Sequence, residues 1–299
     1  MIAADLVADL VAAVAPVADQ LADVRWRDAT AGERLAVRNG HVSTVCPVKA
    51  ALDGDGEFQT TPTTAGPAAA LTVLDRVLLG GLDPMRGAPA ADPPSAFRAT
   101  YQEQLDDWPW TWARDEASPE QRALLAAAAN RRVSGIARML SPWPPPAAGH
   151  IGMRLSWLHP ERPLQLSTRA DAVLGRRDGT HTLVVHLGGD HGAATRRRLA
   201  YDAVLEAVSL RRPPAAVRGL LPDAGRDWTI AVDDAVLAEG IAAAAAGART
   251  ALGAQRLVAT GLVAQPGPAC RYCAHRDRCE PGSTWLGGPG RLRHGFLAP

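Results

Sequence analysis

Four cysteines are the whole cysteine complement of this 299-residue chain, and three of them crowd near one end. Cys270, Cys273 and Cys279 lie in PACRYCAHRDRC, while Cys46 stands alone in HVSTVCPVKAAL. A Cys-x-x-Cys followed by a third Cys puts three thiolates on one short stretch, enough to grip one face of a metal centre. The fourth ligand then has to come from Cys46, far away in the sequence. The set predicts a metal clasp joining the two ends of the fold, a four-cysteine iron–sulphur cluster first and four-cysteine zinc second. His275, inside the cluster, competes as a zinc ligand. The bland alternative is thiols that merely fill a core.

Composition narrows what such a clasp would hold together. The formal net charge is +1, so nothing drives the whole chain toward nucleic acid and any basic binding surface has to be local. No run of about 18 or more uncharged apolar residues occurs, so no membrane span is expected. The first residues are apolar but broken by Asp5, Asp9, Asp19 and Asp23, and they lack a basic leader. Ile2, Leu6, Leu10, Val14, Val17 and Leu21 recur at helical spacing, which predicts an amphipathic helix. A cytoplasmic location is the default reading, and there four cysteines are metal ligands rather than disulfides. Lys49 is the sole lysine, so any chemistry needing a lysine has one choice.

The elements that must carry these residues change character midway. Residues 1–41 read as the N-terminal helix and a turn, and 42–145 as a helical region bearing Cys46. In that region a short helix is expected from Ser43 or Thr44, with others over 65–79, 96–107 and 119–140. The segments 53–64 and 80–95 read as loops, and SPWPPPAAG punctuates the chain. Beyond it, HIGMRLSWL, LQLSTRADAVLG and THTLVVHLG read as three strands. A helix over 195–208 follows, then strands in PAAVRGLLP and DWTIAVD, and a long Ala-rich helix over 236–262. The sheet region is bounded as 146–265, and 266–299 holds the cysteine cluster and a tail.

This order, with STVCP at 43–47 and the Cys-x2-Cys-x5-Cys at 270–279, resembles the iron–sulphur branch of the PD-(D/E)XK nuclease superfamily. That branch includes RecB-type and AddB-type nuclease domains and the CRISPR-associated four-cysteine exonucleases. The resemblance spans roughly Val42 to Cys279. It implies an α/β fold, a restriction-endonuclease-like mixed sheet flanked by helices, and a 4Fe-4S cluster on Cys46, Cys270, Cys273 and Cys279.

The family's catalytic pattern is an Asp on one strand facing an Asp/Glu-x-Lys on the next, together holding Mg²⁺ or Mn²⁺. Asp171 fits the first position. His186 stands where the second carboxylate belongs and Gly188 where the lysine belongs; Ala70 replaces an upstream histidine. Of the family's helical Gln-x-x-x-Tyr, Arg197 replaces the first residue and Tyr201 is retained. Asp171 and His186 are thus vestigial site residues, and no catalytic set is intact. A rearranged site using Asp190 or His191 lacks any lysine substitute.

Arg196, Arg197, Arg198 and Tyr201 are the residues the resemblance places near a nucleic-acid backbone, and arginine forks suit phosphates. Solvated surface charge is the equal alternative. His181, His186 and His191 recur every five residues, a poor rhythm for one strand face. The tryptophans of DDWPWTW (106–112) suit either base stacking or anchoring of a helical insertion. The expectation is a catalytically degenerate nuclease-like protein that binds DNA, or serves in a DNA-processing or defence assembly with a protein partner and no membrane. The alternatives are an active Mg- or Mn-dependent nuclease with a rearranged site, and an interaction scaffold without DNA binding.

Overall fold

The computed structural model describes residues 3–23, 34–43, 113–140, 148–151, 153–175, 180–186, 192–221, 225–260, 270 and 279–287. Helix α1 (Ala3–Ala18) runs into a 3₁₀ turn, Asp19–Asp23. Its stripe is buried as the spacing requires: Leu6, Leu10, Val14, Val17 and Leu21 all sit in the core. Strand β1 (Leu35–Arg38) and the short α2 (Asn39–Ser43) follow. A turn is the expectation over this stretch; it forms a strand because Leu35 and Val37 can pair with a distant, equally apolar neighbour. The helix expected from Ser43 or Thr44, and those over 65–79 and 96–107, lie outside the described residues. So do the loops expected over 53–64 and 80–95.

Helix α3 (Pro119–Leu140) agrees with the sequence pattern. Its start is a reciprocal cap, in which the Ser118 hydroxyl accepts from the Gln121 N–H and the Gln121 side chain accepts from the Ser118 N–H. The expected single strand HIGMRLSWL is two strands, β2 (Ala148–Ile151) and β3 (Arg154–Leu158). LQLSTRADAVLG likewise divides into β4 (Leu164–Arg169) and β5 (Ala172–Gly175). The two divisions lie side by side. β3 pairs antiparallel with β4, and β2 with β5, so the segment is one long hairpin bent where Ala170 donates to the Met153 carbonyl.

The bend splits the hairpin between two sheets. One has the order β1-β4-β3, with β1 parallel to β4. The other has the order β2-β5-β6-β7-β8, built with β6 (His181–His186), β7 (Ala216–Leu221) and β8 (Arg226–Ala231). Strand β6 is antiparallel to β5 and parallel to β7. The parallel pair requires a crossover, which helix α4 (Ala193–Leu210) supplies.

Helix α4 lies between the sheets' inner face and α5 (Asp234–Thr260). The two helices approach so closely that a Cβ on Gly240 would collide with the Ala200 carbonyl and Val204. Asp233 caps α5 by accepting from the Val236 N–H at 2.8 Å. Over Asp234–Ala254, α5 is long and apolar enough to cross a membrane, but it packs against α4, α1, α2 and β1. A last short helix, α6 (Glu280–Gly287), follows Cys279.

Candidate functional site

Asp171 sits at the bend between β4 and β5, where one sheet hands over to the other. Its N–H donates to the Val184 carbonyl of β6 at 3.0 Å, and the residue is only 9 % exposed. Its charge acts on Asp202 of α4.

The polar residues of α4 form a stripe that motif spacing alone does not single out. Arg198, Asp202 and Glu206 recur every four residues, which puts them on one face of an otherwise apolar helix. The flanking faces bury Leu199, Ala203, Val204 and Leu205 completely. Asp202 has no exposed surface; the Thr168 hydroxyl of β4 donates to its Oδ1 at 2.6 Å. Arg198 Nε stands 3.8 Å from Asp202 Oδ2, a Coulombic contact, and that oxygen has no hydrogen-bond partner among the described residues.

Burial pushes the Asp202 carboxyl up to about 6; Arg198 and the Thr168 hydroxyl oppose the rise, and the charges of Asp171 and Glu206 add to it. Glu206, also without exposed surface, is raised by burial in the same direction. His181 Nε2 approaches Glu206 Oε1 at 2.8 Å, and neither glutamate oxygen meets hydrogen-bond geometry. Asp202 is held at Thr168 and Glu206 at His181. Among the described residues no three His, Cys, Asp or Glu side chains converge on one metal position.

The other expected site residues are dispersed. His186 is the last residue of β6, its backbone paired with Leu220 of β7. Asp190, His191, Lys49, Ala70, Gly188, His275 and the 106–112 tryptophans lie outside the described residues.

Tyr201 requires a correction. It is wholly buried, and its hydroxyl reaches the carbonyls of Val37 (3.3 Å) and Ser167 (3.2 Å), fastening α4 to β1 and β4. A phenol sealed in the core cannot contact nucleic acid. The three consecutive arginines also diverge, because successive residues turn by about 100° around a helix. Arg196 pairs with Glu239 of α5 at 2.8 Å, Arg198 turns in to Asp202, and Arg197 is half-buried.

Two of the four cysteines can be placed. Cys279 immediately precedes α6, its carbonyl accepting from the Ser283 N–H at 2.9 Å. A Cβ built on Gly282 would stand 3.3 Å from Cys279 Sγ and 3.6 Å from Cys270 Sγ. Both sulphurs therefore lie over the same glycine, no further apart than those two distances together. That arrangement fits two sulphur ligands of one thiophilic centre. Cys46 and Cys273 lie outside the described residues.

No protein-family model matches the chain, and no curated protein is similar enough to stand as a relative.

Proposed function

We propose that this chain is a catalytically silent nuclease-like protein that binds nucleic acid, acting as a subunit of a DNA-processing or defence assembly. The observation that carries the reading is the environment of Asp171. The residue whose carboxylate would hold Mg²⁺ or Mn²⁺ in an active relative is nearly buried, and Asp202, whose ionisation its charge opposes, has no exposed surface at all. A metal-dependent nuclease needs carboxylates that are ionised, convergent and reachable by a phosphodiester. Here Asp202 and Glu206 of α4 have no exposed surface, and no three such side chains converge among the described residues. The antiparallel β5–β6 pair, the α4 crossover and the parallel β7 agree with the expected nuclease-like sheet without by themselves identifying it.

Incubation of the purified protein with end-labelled single- and double-stranded DNA, in Mg²⁺ and then Mn²⁺, tests the silence. The DNA is expected to be recovered intact after hours at micromolar protein. Degradation that disappears in Asp171→Asn would establish an active nuclease instead.

The clasp is part of the same proposal: Cys46, Cys270, Cys273 and Cys279 hold a 4Fe-4S cluster, or zinc in its place, as a structural staple. Gly282 supplies a test of its geometry. Within a helix, alanine is favoured over glycine by about 1 kcal/mol, so Gly282→Ala is expected to leave the metal-free protein equally or more stable. In the loaded protein the new methyl crowds Cys279 Sγ at 3.3 Å while Cys270 Sγ stands at ordinary contact distance, so bound metal per chain is expected to fall. Iron, sulphide and zinc analysis alongside melting of the stripped protein reads both effects. Full metal loading in the variant would contradict the placement.

A further inference from the structure

We infer that the outward face of the β1-β4-β3 sheet is a docking surface for the phosphate backbone of nucleic acid, centred on Arg38, Arg154 and Arg169. The inference rests on the proposed nucleic-acid-binding role and moves its surface away from the Arg196–Arg198 run. The three strands read LAVR, RLSWL and LQLSTR, with no acidic residue among them. Leu35, Val37, Leu155, Leu164 and Leu166 take the inner positions and are buried, so the alternation sends the arginines outward. All three are exposed, as are Ser156 and Leu158 on the same side of β3.

Register brings the three charges to one end of the sheet. Arg154 is directly opposite Arg169 in the antiparallel β3–β4 pair. Arg38 pairs with Ser167, two residues from Arg169 along the same side of β4. Directly opposed residues have Cα atoms about 4.5–5.5 Å apart, and like charges so placed repel. Other arginines of the chain do have acid partners: Arg162 pairs with Asp19, Arg196 with Glu239 and Arg218 with Asp227. Among the described residues, no acid pairs with Arg38, Arg154 or Arg169. A repulsive cluster on an open face is relieved by a polyanion that brings the counter-charge.

The shape selects the kind of anion. A sheet face has no enclosing walls, so it suits a repeating backbone rather than a single small anion, which needs a concave site. Arginine forks bind phosphate oxygens in pairs, and neighbouring strands about 4.8 Å apart let successive side chains meet successive phosphates. The hydroxyl of Ser156 adds a donor beside them.

The test is fluorescence anisotropy of an end-labelled duplex oligonucleotide with the full-length protein, across a salt series. The Arg154→Ala/Arg169→Ala double variant is expected to bind at least ten-fold more weakly at low salt. Its slope of log affinity against log salt should shrink by about 2, since each lost phosphate contact removes about 0.9. Arg169→Glu should lose affinity as strongly yet melt no lower than the parent, because it turns the repulsive pair with Arg154 into an attractive one. Arg131→Glu, at an exposed position of α3, serves as a charge-matched control and should bind within about two-fold of the parent.

If the parent binds and the double variant keeps its affinity and slope, this surface is wrong while the broader reading stands. If the parent binds no nucleic acid, both fall. Polyglutamate competing as well as unlabelled duplex would reassign the surface to an acidic protein and overturn the inference.

Discussion

Replacing Asp202 with Asn is expected to abolish a fall in stability of about 3 kcal/mol that this carboxyl imposes on the parent protein between pH 3 and pH 7. The group has an ordinary value of 3.8 and is pushed to about 6 in the fold, and each tenfold change in an ionisation equilibrium is worth about 1.4 kcal/mol. At about pH 3 the carboxyl is protonated in both folded and unfolded chains, so burial carries no penalty. Between about pH 4 and pH 6 the unfolded chain ionises first, and the fold is progressively disfavoured. Above about pH 6 the folded carboxyl ionises too, and the penalty levels off. Asparagine keeps an oxygen to accept from Thr168 and has nothing to ionise.

The groups facing position 202 are Arg198 and Glu206 on α4, Thr168 on β4 and Asp171 at the bend. Glu206 is raised as well, so the pH dependence that it contributes survives in Asp202→Asn. Urea denaturation of the two proteins in steps from acid to neutral pH isolates the Asp202 share. A parent-to-variant difference that stays flat across that range would show that the carboxylate is solvated or fully paired.

Removing one clasp ligand is expected to have the second large effect. Truncating a half-buried thiol costs about 1 kcal/mol through lost packing alone. If Cys279 also holds a metal, Cys279→Ala loses binding energy that is folding energy, several kcal/mol in all. For a protein of this size that corresponds to a melting point lower by on the order of 10 °C. The purified variant should also lose the brown colour of an iron–sulphur protein, and anaerobic reconstitution with iron and sulphide should fail to restore it. Anaerobically purified parent and Cys279→Ala proteins melting within about 2 °C of each other would rule out the clasp.

Much of the scaffold is legible in local pattern. The α1 stripe from Leu6 to Leu21, the capped start of α3, and the runs that form β6, α4, β7 and α5 carry their own periodicity or end signals. What escapes depends on distant partners. LAVR is four residues long and becomes a strand only because Leu35 pairs with Leu164 across the fold. HIGMRLSWL and LQLSTRADAVLG look continuous, and their shared bend emerges only when the two strands are laid side by side.

The site is legible by residue type more than by placement. Asp171 stands out through a family resemblance, yet its burial at the bend between two sheets is visible only in the fold. The Arg198-Asp202-Glu206 spacing is readable as one helical face, but the three consecutive arginines suggest exposed surface there instead. Tyr201 matches a nuclease motif and is a core fastener. The Arg154–Arg169 juxtaposition follows from strand register, which alternation within one strand does not specify.

The most direct measurement is a gel-shift titration of end-labelled duplex DNA in Mn²⁺, with the DNA afterwards recovered and sized. A silent nuclease-like binder gives a retarded complex that weakens steeply with salt and releases full-length DNA. Shortened DNA whose production requires Asp171, or no complex at low salt, would contradict that role.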